Sequence, residues 1–211
     1  MQQKDTQKLK IDILTNQSVQ SLYKGEDYWK VETNVATFSC QKLVMTTGSN
    51  PKVWEMLTEL GHSIISAVPS LFTFNIKDKR IKDLMGLSAF ANVKVKNTKL
   101  ESSGPLLITH WGMSGPGILR LSAWGARILA DKNYQFVLQV NWLNDLTFEE
   151  TLDKLKELKL EHSKKAVSKK SPLELSNDQF ANARVPNRLW ESLVLASEIL
   201  EDTKWADLSK N

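Results

Sequence analysis

The sequence of 211 residues lacks a second cysteine, a long apolar run and a glycine-rich phosphate loop. Cys40 therefore has no partner for a disulfide, a zinc knuckle or a redox pair, and we expect it to be a small buried apolar residue. A membrane-spanning helix needs about 18 consecutive apolar residues, and the first residues do not resemble a secretory signal. These absences predict a cytoplasmic protein with no membrane partner.

The pattern G-x-G-x-x-G, whose backbone N–H groups hold a dinucleotide pyrophosphate, does not occur. This chain could therefore touch a dinucleotide but not grip it. His62 and His162 have no other ligand types at metal spacing, so we predict no metal site.

The formal charge is +4, and much of the excess lies in the lysine-rich region 154–170. Lysine and glutamate interleave over residues 151–161, as they do on an ordinary solvated helix, so we expect no nucleic-acid partner. The alternative function is a non-enzymatic module that binds RNA or an acidic partner through this lysine-rich helical region. A steep loss of affinity with rising salt would mark that alternative.

Hydrophobic patterning predicts an α+β fold in three domains. Residues 1–61 form a β-meander followed by a final strand and a helix, residues 62–144 form a β-rich, barrel-like domain with one packed helix, and residues 145–211 form a small helical subdomain. The predicted strands include 9–13, 19–23, 28–33, 36–39, 43–47, 71–76, 91–95, 106–109 and 134–140, and the predicted helices are 51–60, 119–130 and 187–200, with a short helix after Pro172.

Two local features accompany the helical subdomain. Thr147 and Glu150 fit a capping box at its start. The polar stretch 162–171 has few apolar side chains to anchor its backbone, so we expect proteases to cut there first.

The richest candidate site is the segment 106–117, a strand that runs through a glycine-rich turn into a helix. Gly112 and Gly115 permit close backbone approach, and Pro116 suits a first helical turn, so free N–H groups could face a ligand oxygen. A turn that merely connects a strand to a helix is the alternative. The candidate cofactor-binding residues here are Thr109, His110, Gly112, Ser114, Gly115 and Pro116.

A second candidate site is the end of the apolar strand 43–47, where Thr47 and Gly48 open into a turn. In open α/β sheets ligands lie at the carboxyl ends of strands, and a glycine there lets the backbone come near a cofactor. A serine-hydrolase elbow around Ser114 is disfavoured because Pro116 stands where that motif requires glycine. No catalytic residue is assigned.

Six segments, taken in order, resemble a bacterial flavoprotein family. They are 43–48 (LVMTTG), 60–64 (LGHSI), 68–71 (VPSL), 86–88 (GLS), 109–122 (THWGMSGPGILRLS) and 185–190 (VPNRLW). The family is that of the NAD(P)/FAD-dependent oxidoreductases, or aminoacetone-oxidase-like FAD-binding proteins.

The resemblance implies that this chain is the middle and insert portion of such an enzyme. In the family a glutathione-reductase-like FAD domain is interrupted by a β-rich domain with a helical insert, so residues 1–61 would be a meander remnant of the FAD domain. The chain would cover the flavin and shape a substrate space without being a complete enzyme. FAD, with NAD(P)H as a further cofactor, would be gripped by FAD-domain segments missing from this chain, and the substrate would be a small molecule.

Overall fold

The computed structural model describes residues 11–143, 146–171, 173–175 and 183–208. The chain folds into two compact units, residues 1–67 and 68–211. The architecture is mixed α+β, as predicted. Within the described ranges, no helix is both long enough and apolar enough to cross a membrane.

The unit of residues 1–67 contains the predicted β-meander. Strands β1 (Val19–Lys24), β2 (Trp29–Thr33) and β3 (Thr37–Cys40) pair antiparallel in that order. Helix α1 (Pro51–Glu59) begins after Asn50, whose side-chain oxygen accepts a hydrogen bond from the Lys52 amide at 3.1 Å. The hairpin, the third strand and the capped helix are therefore confirmed.

Two strand predictions in this unit are wrong, and the burial of Cys40 is only partial. Residues 43–47 form no strand, and the Val44 side chain is 81% exposed. Residues 11–13 are also without regular structure, while residues 9–10 lie outside the described residues. A buried strand needs neighbours that accept its backbone hydrogen bonds, and none of the described residues pairs with 43–47. Cys40 is half-buried at the end of β3.

The unit of residues 68–211 is built on a curled, antiparallel five-stranded sheet. Its order is β4-β7-β6-β5-β8, so the central strand β6 lies between β7 and β5. The strands are β4 (Phe74–Asn75), β5 (Ser88–Val95), β6 (Glu101–Ile108), β7 (Gly112–Ser114) and β8 (Leu138–Asn141).

Helices and short elements complete this unit. The helix predicted over 119–130 is two helices that meet at Gly125, a residue of low helix propensity. The helices are α2 (Pro116–Trp124), α3 (Ala126–Asp131), α4 (Phe148–Glu161) and α5 (Asn187–Ala196). Strands β9 (Glu174–Leu175) and β10 (Ala183–Arg184) pair with each other, and Lys79–Ile81 and Trp205–Asp207 form 3₁₀ turns.

The start of α4 confirms the capping box, since the Glu150 amide donates to Thr147 and the Glu150 carboxylate accepts from the Thr147 amide. Four other predicted elements differ. The strands predicted over 71–76 and 134–140 are shorter, at 74–75 and 138–141, and the helix predicted over 187–200 ends at Ala196. Residues 174–175, after Pro172, are in a strand rather than a helix. Pro172 itself and residues 176–182 lie outside the described residues.

The core lies where α2 covers the sheet. Val93 and Val95 of β5 and Leu106 of β6 are at most 1% exposed, as are Ile118 and Leu121 of α2. Each such side chain contributes roughly 1.5–3 kcal/mol by leaving water. The sheet and α2 therefore form the rigid frame that positions the loops around them.

The stretch 162–171 is anchored, which contradicts the reason given for early proteolysis there. Val167 is buried, and its carbonyl oxygen accepts a hydrogen bond of 2.7 Å from the Trp190 indole N–H. Ser168 donates to the Glu201 carbonyl at 2.7 Å. The anchors are contacts far away in sequence, which local composition does not reveal. Lys169 and Lys170 remain exposed.

Candidate functional site

The predicted glycine-rich turn is a tight β-hairpin followed directly by a helix. Strand β6 turns back into β7, with Ile108 paired to Met113, and the Thr109 amide donates to the Gly112 carbonyl at 2.9 Å. The Thr109 hydroxyl oxygen also accepts from the Gly112 amide at 3.2 Å. Thr109 therefore serves the turn itself, and His110 projects exposed from its tip.

The close backbone approaches at the glycines of this turn are made by the chain itself. A side chain at Gly112 would overlap the Phe74 carbonyl oxygen and the Ile76 amide. Gly115 has a φ of +94°, and a Cβ there would lie 2.7 Å from the Pro105 carbonyl oxygen. These contacts account for both glycines without a ligand, because strands β4 and β6 occupy the space.

The start of α2 is also directed at the sheet. Its N-cap residue, Gly115, provides no side-chain hydrogen bond, and Gly117 is buried against Gly104 of β6. Ser114 is half-buried in β7, and Pro116 is exposed at the first helical position. The first amides of this helix therefore lie against β6.

Thr47 and Gly48 belong to the unit of residues 1–67, whereas the turn belongs to the unit of residues 68–211. Both are exposed, and no described atom lies within 4 Å of a Cβ added to Gly48. Within the part of the chain that the structure describes, no residue forms a phosphate cradle beside Thr47 and Gly48.

Three of the predicted residues line a cavity of about 480 Å³. Thr109, His110 and Gly112 form one wall, and the segment 76–83 with Met85 forms the other. The segment 76–83 carries four cations and two carboxylates. We call it the basic loop.

The basic loop keeps a net positive charge at its surface. Lys77, Lys79 and Lys82 are exposed and, among the described residues, have no ion pair. Asp78 is paired with Arg80 at 2.6 Å, and this hydrogen-bonded contact lowers the pKa of the Asp78 carboxyl to about 2. At neutral pH Asp78 is therefore ionised, and Arg80 balances its charge. Asp78 does not offset the charges of the three lysines.

The Asp78–Arg80 pair shapes the loop more than it stabilises the fold. The Arg80 side chain is 61% exposed, so the pair contributes at most about 1 kcal/mol. Asp78 also caps the 3₁₀ turn by accepting from the Arg80 amide at 2.9 Å. The same carboxylate thus fixes both the backbone and the guanidinium.

Helix α5 holds the basic loop from outside. The Arg188 guanidinium donates to the Asp83 carbonyl at 2.7 Å, and the Ser192 hydroxyl donates to the Arg80 carbonyl at 2.9 Å. Ile81, on the inner side of the loop, is buried in the core. The loop is consequently a fixed surface rather than a free segment.

A larger cavity of about 740 Å³ also borders the basic loop. Aromatic rings form much of its wall, with centroid separations of 5.7 Å for Phe72–Phe74, 5.8 Å for Phe72–Tyr134 and 5.0 Å for Phe74–Phe136. We call it the aromatic cavity. The two cavities share four lining residues, Ile76, Lys77, Asp78 and Ile81.

A family model for the HI0933-like protein barrel and H2TH domain matches residues 68–211. This chain belongs to the HI0933-like family. The family is one of FAD-dependent oxidoreductase-like proteins of the aminoacetone oxidase type, so the resemblance found in the sequence is confirmed at that level. The matched residues coincide with the unit that carries the sheet, the basic loop and both cavities.

The HI0933-like chain is also similar to the ribosomal RNA dihydrouridine synthase of Escherichia coli (strain K12). The two are 27% identical over 119 residues, which cover 50% of this chain and 29% of that protein. The match therefore spans less than a third of the length of this curated relative.

Sequence reasoning missed the basic loop and the aromatic cavity of this HI0933-like chain. The run Lys77-Asp78-Lys79-Arg80-Ile81-Lys82 was a detectable signal, because it is the densest group of cations near the predicted turn. The aromatic cavity had no such signal, since Phe72 and Tyr134 meet only through the fold.

Proposed function

We propose that this chain supplies the RNA-binding face of a FAD-dependent oxidoreductase that acts on a base in RNA. The observation that carries the proposal is the fixed basic loop between two cavities, one of them walled by aromatic rings. The name of the similar E. coli protein, a ribosomal RNA dihydrouridine synthase, supports RNA as the substrate class. This revises our expectations of a small-molecule substrate and of no nucleic-acid partner.

Neither glycine turn offers a cradle for the phosphates of FAD among the described residues. The spaces beside Gly112 and Gly115 are filled by strands β4 and β6, and the surroundings of Gly48 are open. We therefore assign no redox step to these residues, and propose that other segments of the polypeptide grip the cofactor. Bound FAD would supply the redox chemistry, while the protein orients the substrate and limits access of water.

The chain's own contribution is then binding and orientation. The phosphates of an RNA strand are attracted by Lys77, Lys79 and Lys82. This electrostatic attraction contributes most of the affinity and weakens as the salt concentration rises. Arg188 and Ser192 hold the loop that carries these lysines. Thr109 fixes the turn that places His110 at the opposite wall of the smaller cavity.

The test is RNA binding by a pair of charge-matched double variants. We expect Lys79→Ala/Lys82→Ala to weaken binding of a ten-nucleotide oligouridylate, measured by fluorescence anisotropy between 50 and 200 mM salt. The slope of log affinity against log salt should fall by about 1.4, or about 0.7 for each lost phosphate contact. The control, Lys42→Ala/Lys52→Ala, removes the same charge from exposed positions of the other unit.

Two outcomes would overturn the proposal. If the control weakens binding as much, the RNA responds only to net charge. If Lys169→Ala/Lys170→Ala carries the loss instead, the lysine-rich helical region binds the RNA and the alternative of a non-enzymatic module is favoured.

A further inference from the structure

We propose that the aromatic cavity seats one unstacked uracil base of the bound RNA, an inference that rests on the proposed function and identifies its base-binding subsite. RNA-binding proteins recognise single-stranded segments by stacking splayed bases on aromatic side chains and by hydrogen bonding to the base edges. The cavity offers groups for both interactions.

The stacking surface is formed by the ring network that lines the cavity. Phe74 is buried and tethers the network to the core, whereas Tyr134 is 41% exposed at the other end. Phe72 connects the two, with its ring tilted by 55° against Phe74 and nearly perpendicular to Tyr134. Ring edges and faces are thus held in fixed directions around an open space, which lowers the entropic cost of binding a planar base.

Two side-chain amides at the cavity suit a uracil edge. Asn75 follows Phe74 on β4 and Gln135 lies between Tyr134 and Phe136. Both residues are exposed, and their side chains make no hydrogen bond to the described part of the chain. An amide offers one acceptor and two donor hydrogens, which complement the N3–H donor and the carbonyl acceptors of uracil.

The charge distribution favours a nucleotide over a purely apolar ligand. Lys77 lies in the shared wall and lines both cavities, and Lys79 and Lys82 line only the smaller one. A base in the aromatic cavity therefore places its flanking phosphates beside the basic loop. One strand of RNA satisfies both surfaces together, because bases and phosphates alternate along it.

The experiment compares two probes of equal charge, a ten-nucleotide oligouridylate and the abasic sugar–phosphate chain of the same length. We expect the protein without substitutions to bind the oligouridylate at least about 10-fold more tightly than it binds the abasic probe, consistent with base–aromatic stacking. Tyr134→Leu and Phe136→Leu should each reduce that ratio to about 3 or less without changing affinity for the abasic chain. Phe148→Leu, an exposed position at the start of α4, should keep the full ratio.

The outcomes separate this inference from the proposed function. If neither probe binds, the proposed function fails. If both bind but neither aromatic variant changes the ratio, the base seat is elsewhere and this inference is wrong. Lys79→Ala/Lys82→Ala should weaken both probes equally and so preserve the ratio.

Competition with free ligands shows whether the aromatic cavity binds a base of RNA, a free nucleotide or a flavin ring. We expect free uridine monophosphate to displace the oligouridylate at least about 10-fold less well, per nucleotide, because it carries one phosphate and no connected neighbours. Equal displacement would assign the cavity to free nucleotides. Displacement by riboflavin that is lost in Tyr134→Leu would assign it to the flavin ring, and either result would overturn the proposal.

Discussion

The two units of the chain use their apolar side chains in opposite ways. The unit of residues 68–211 buries a continuous cluster between the sheet and its helices, with residues such as Val95, Ile118 and Leu121 fully enclosed. In the unit of residues 1–67, Met56 is the only buried hydrophobic side chain among the described residues, and Val44 and Ile65 are about four-fifths exposed, at 81% and 78%.

Pairing of strands does not by itself bury their apolar side chains. The meander β1–β2–β3 has an ordinary antiparallel register, yet a sheet buries its apolar face only when another layer covers it. The larger unit has that layer in α2, which packs on β6. A fixed site can therefore be built there, as the basic loop and the aromatic cavity illustrate.

The largest effect is expected from a substitution that disrupts the tight packing of the larger unit. Gly112→Ala places a Cβ against the backbone of Phe74 and Ile76 at a φ of +151°, so we expect a loss of about 3 kcal/mol in stability. Gly48→Ala, also at positive φ but with open surroundings, should cost about 1 kcal/mol. Urea unfolding followed by circular dichroism measures both, and equal costs would remove the distinction between the units.

The rate of proteolysis at exposed lysines is also expected to differ between the two units. Trypsin should cut after Lys42, which precedes the unpaired segment 43–47, at least about 10-fold faster than after Lys169 or Lys170. The latter two follow Val167 and Ser168, whose hydrogen bonds to Trp190 and Glu201 must first open. Mass spectrometry of early fragments reveals the order. First cuts at Lys169 or Lys170 would support our original expectation for the stretch 162–171.

The smallest effect concerns two serines of α5 and its C-cap. Ser192 donates to Arg80 of the basic loop at 2.9 Å, whereas Ser197 donates to Leu193 of its own helix at 2.9 Å. Ser192→Ala should cost about 1 kcal/mol in stability and weaken RNA binding roughly threefold, or by less than about 1 kcal/mol. Ser197→Ala should leave RNA binding unchanged. Equal binding by both variants would show that α5 does not position the loop.

The local elements were largely predictable from the sequence, because their signals are short-range. The Asn50 cap, the Thr147–Glu150 capping box and the hairpin about Gly25 each depend on residues a few positions apart. Predictions failed where distant contacts decide the outcome. The carbonyl of Val167 is satisfied by Trp190, 23 positions away, and no pattern in the stretch 162–171 reveals that contact.

The candidate site was predictable only in part, for the same reason. The motif around Gly112 and Gly115 was correctly singled out as a place of close backbone approach, but a sequence cannot say whether a ligand or another strand makes that approach. Here β4 and β6 make it. Whether Thr47, Gly48 and the residues of the turn contact FAD stays a prediction.

Photo-cross-linking locates the RNA on the protein and shows whether it contacts the aromatic cavity and the basic loop. An oligouridylate substituted with 4-thiouridine is bound to the chain and irradiated, and the adducts are located by mass spectrometry. We expect adducts in 72–83 and 134–142, the segments that line the aromatic cavity and carry the basic loop. Adducts confined to the lysine-rich residues 164–170 would contradict the account.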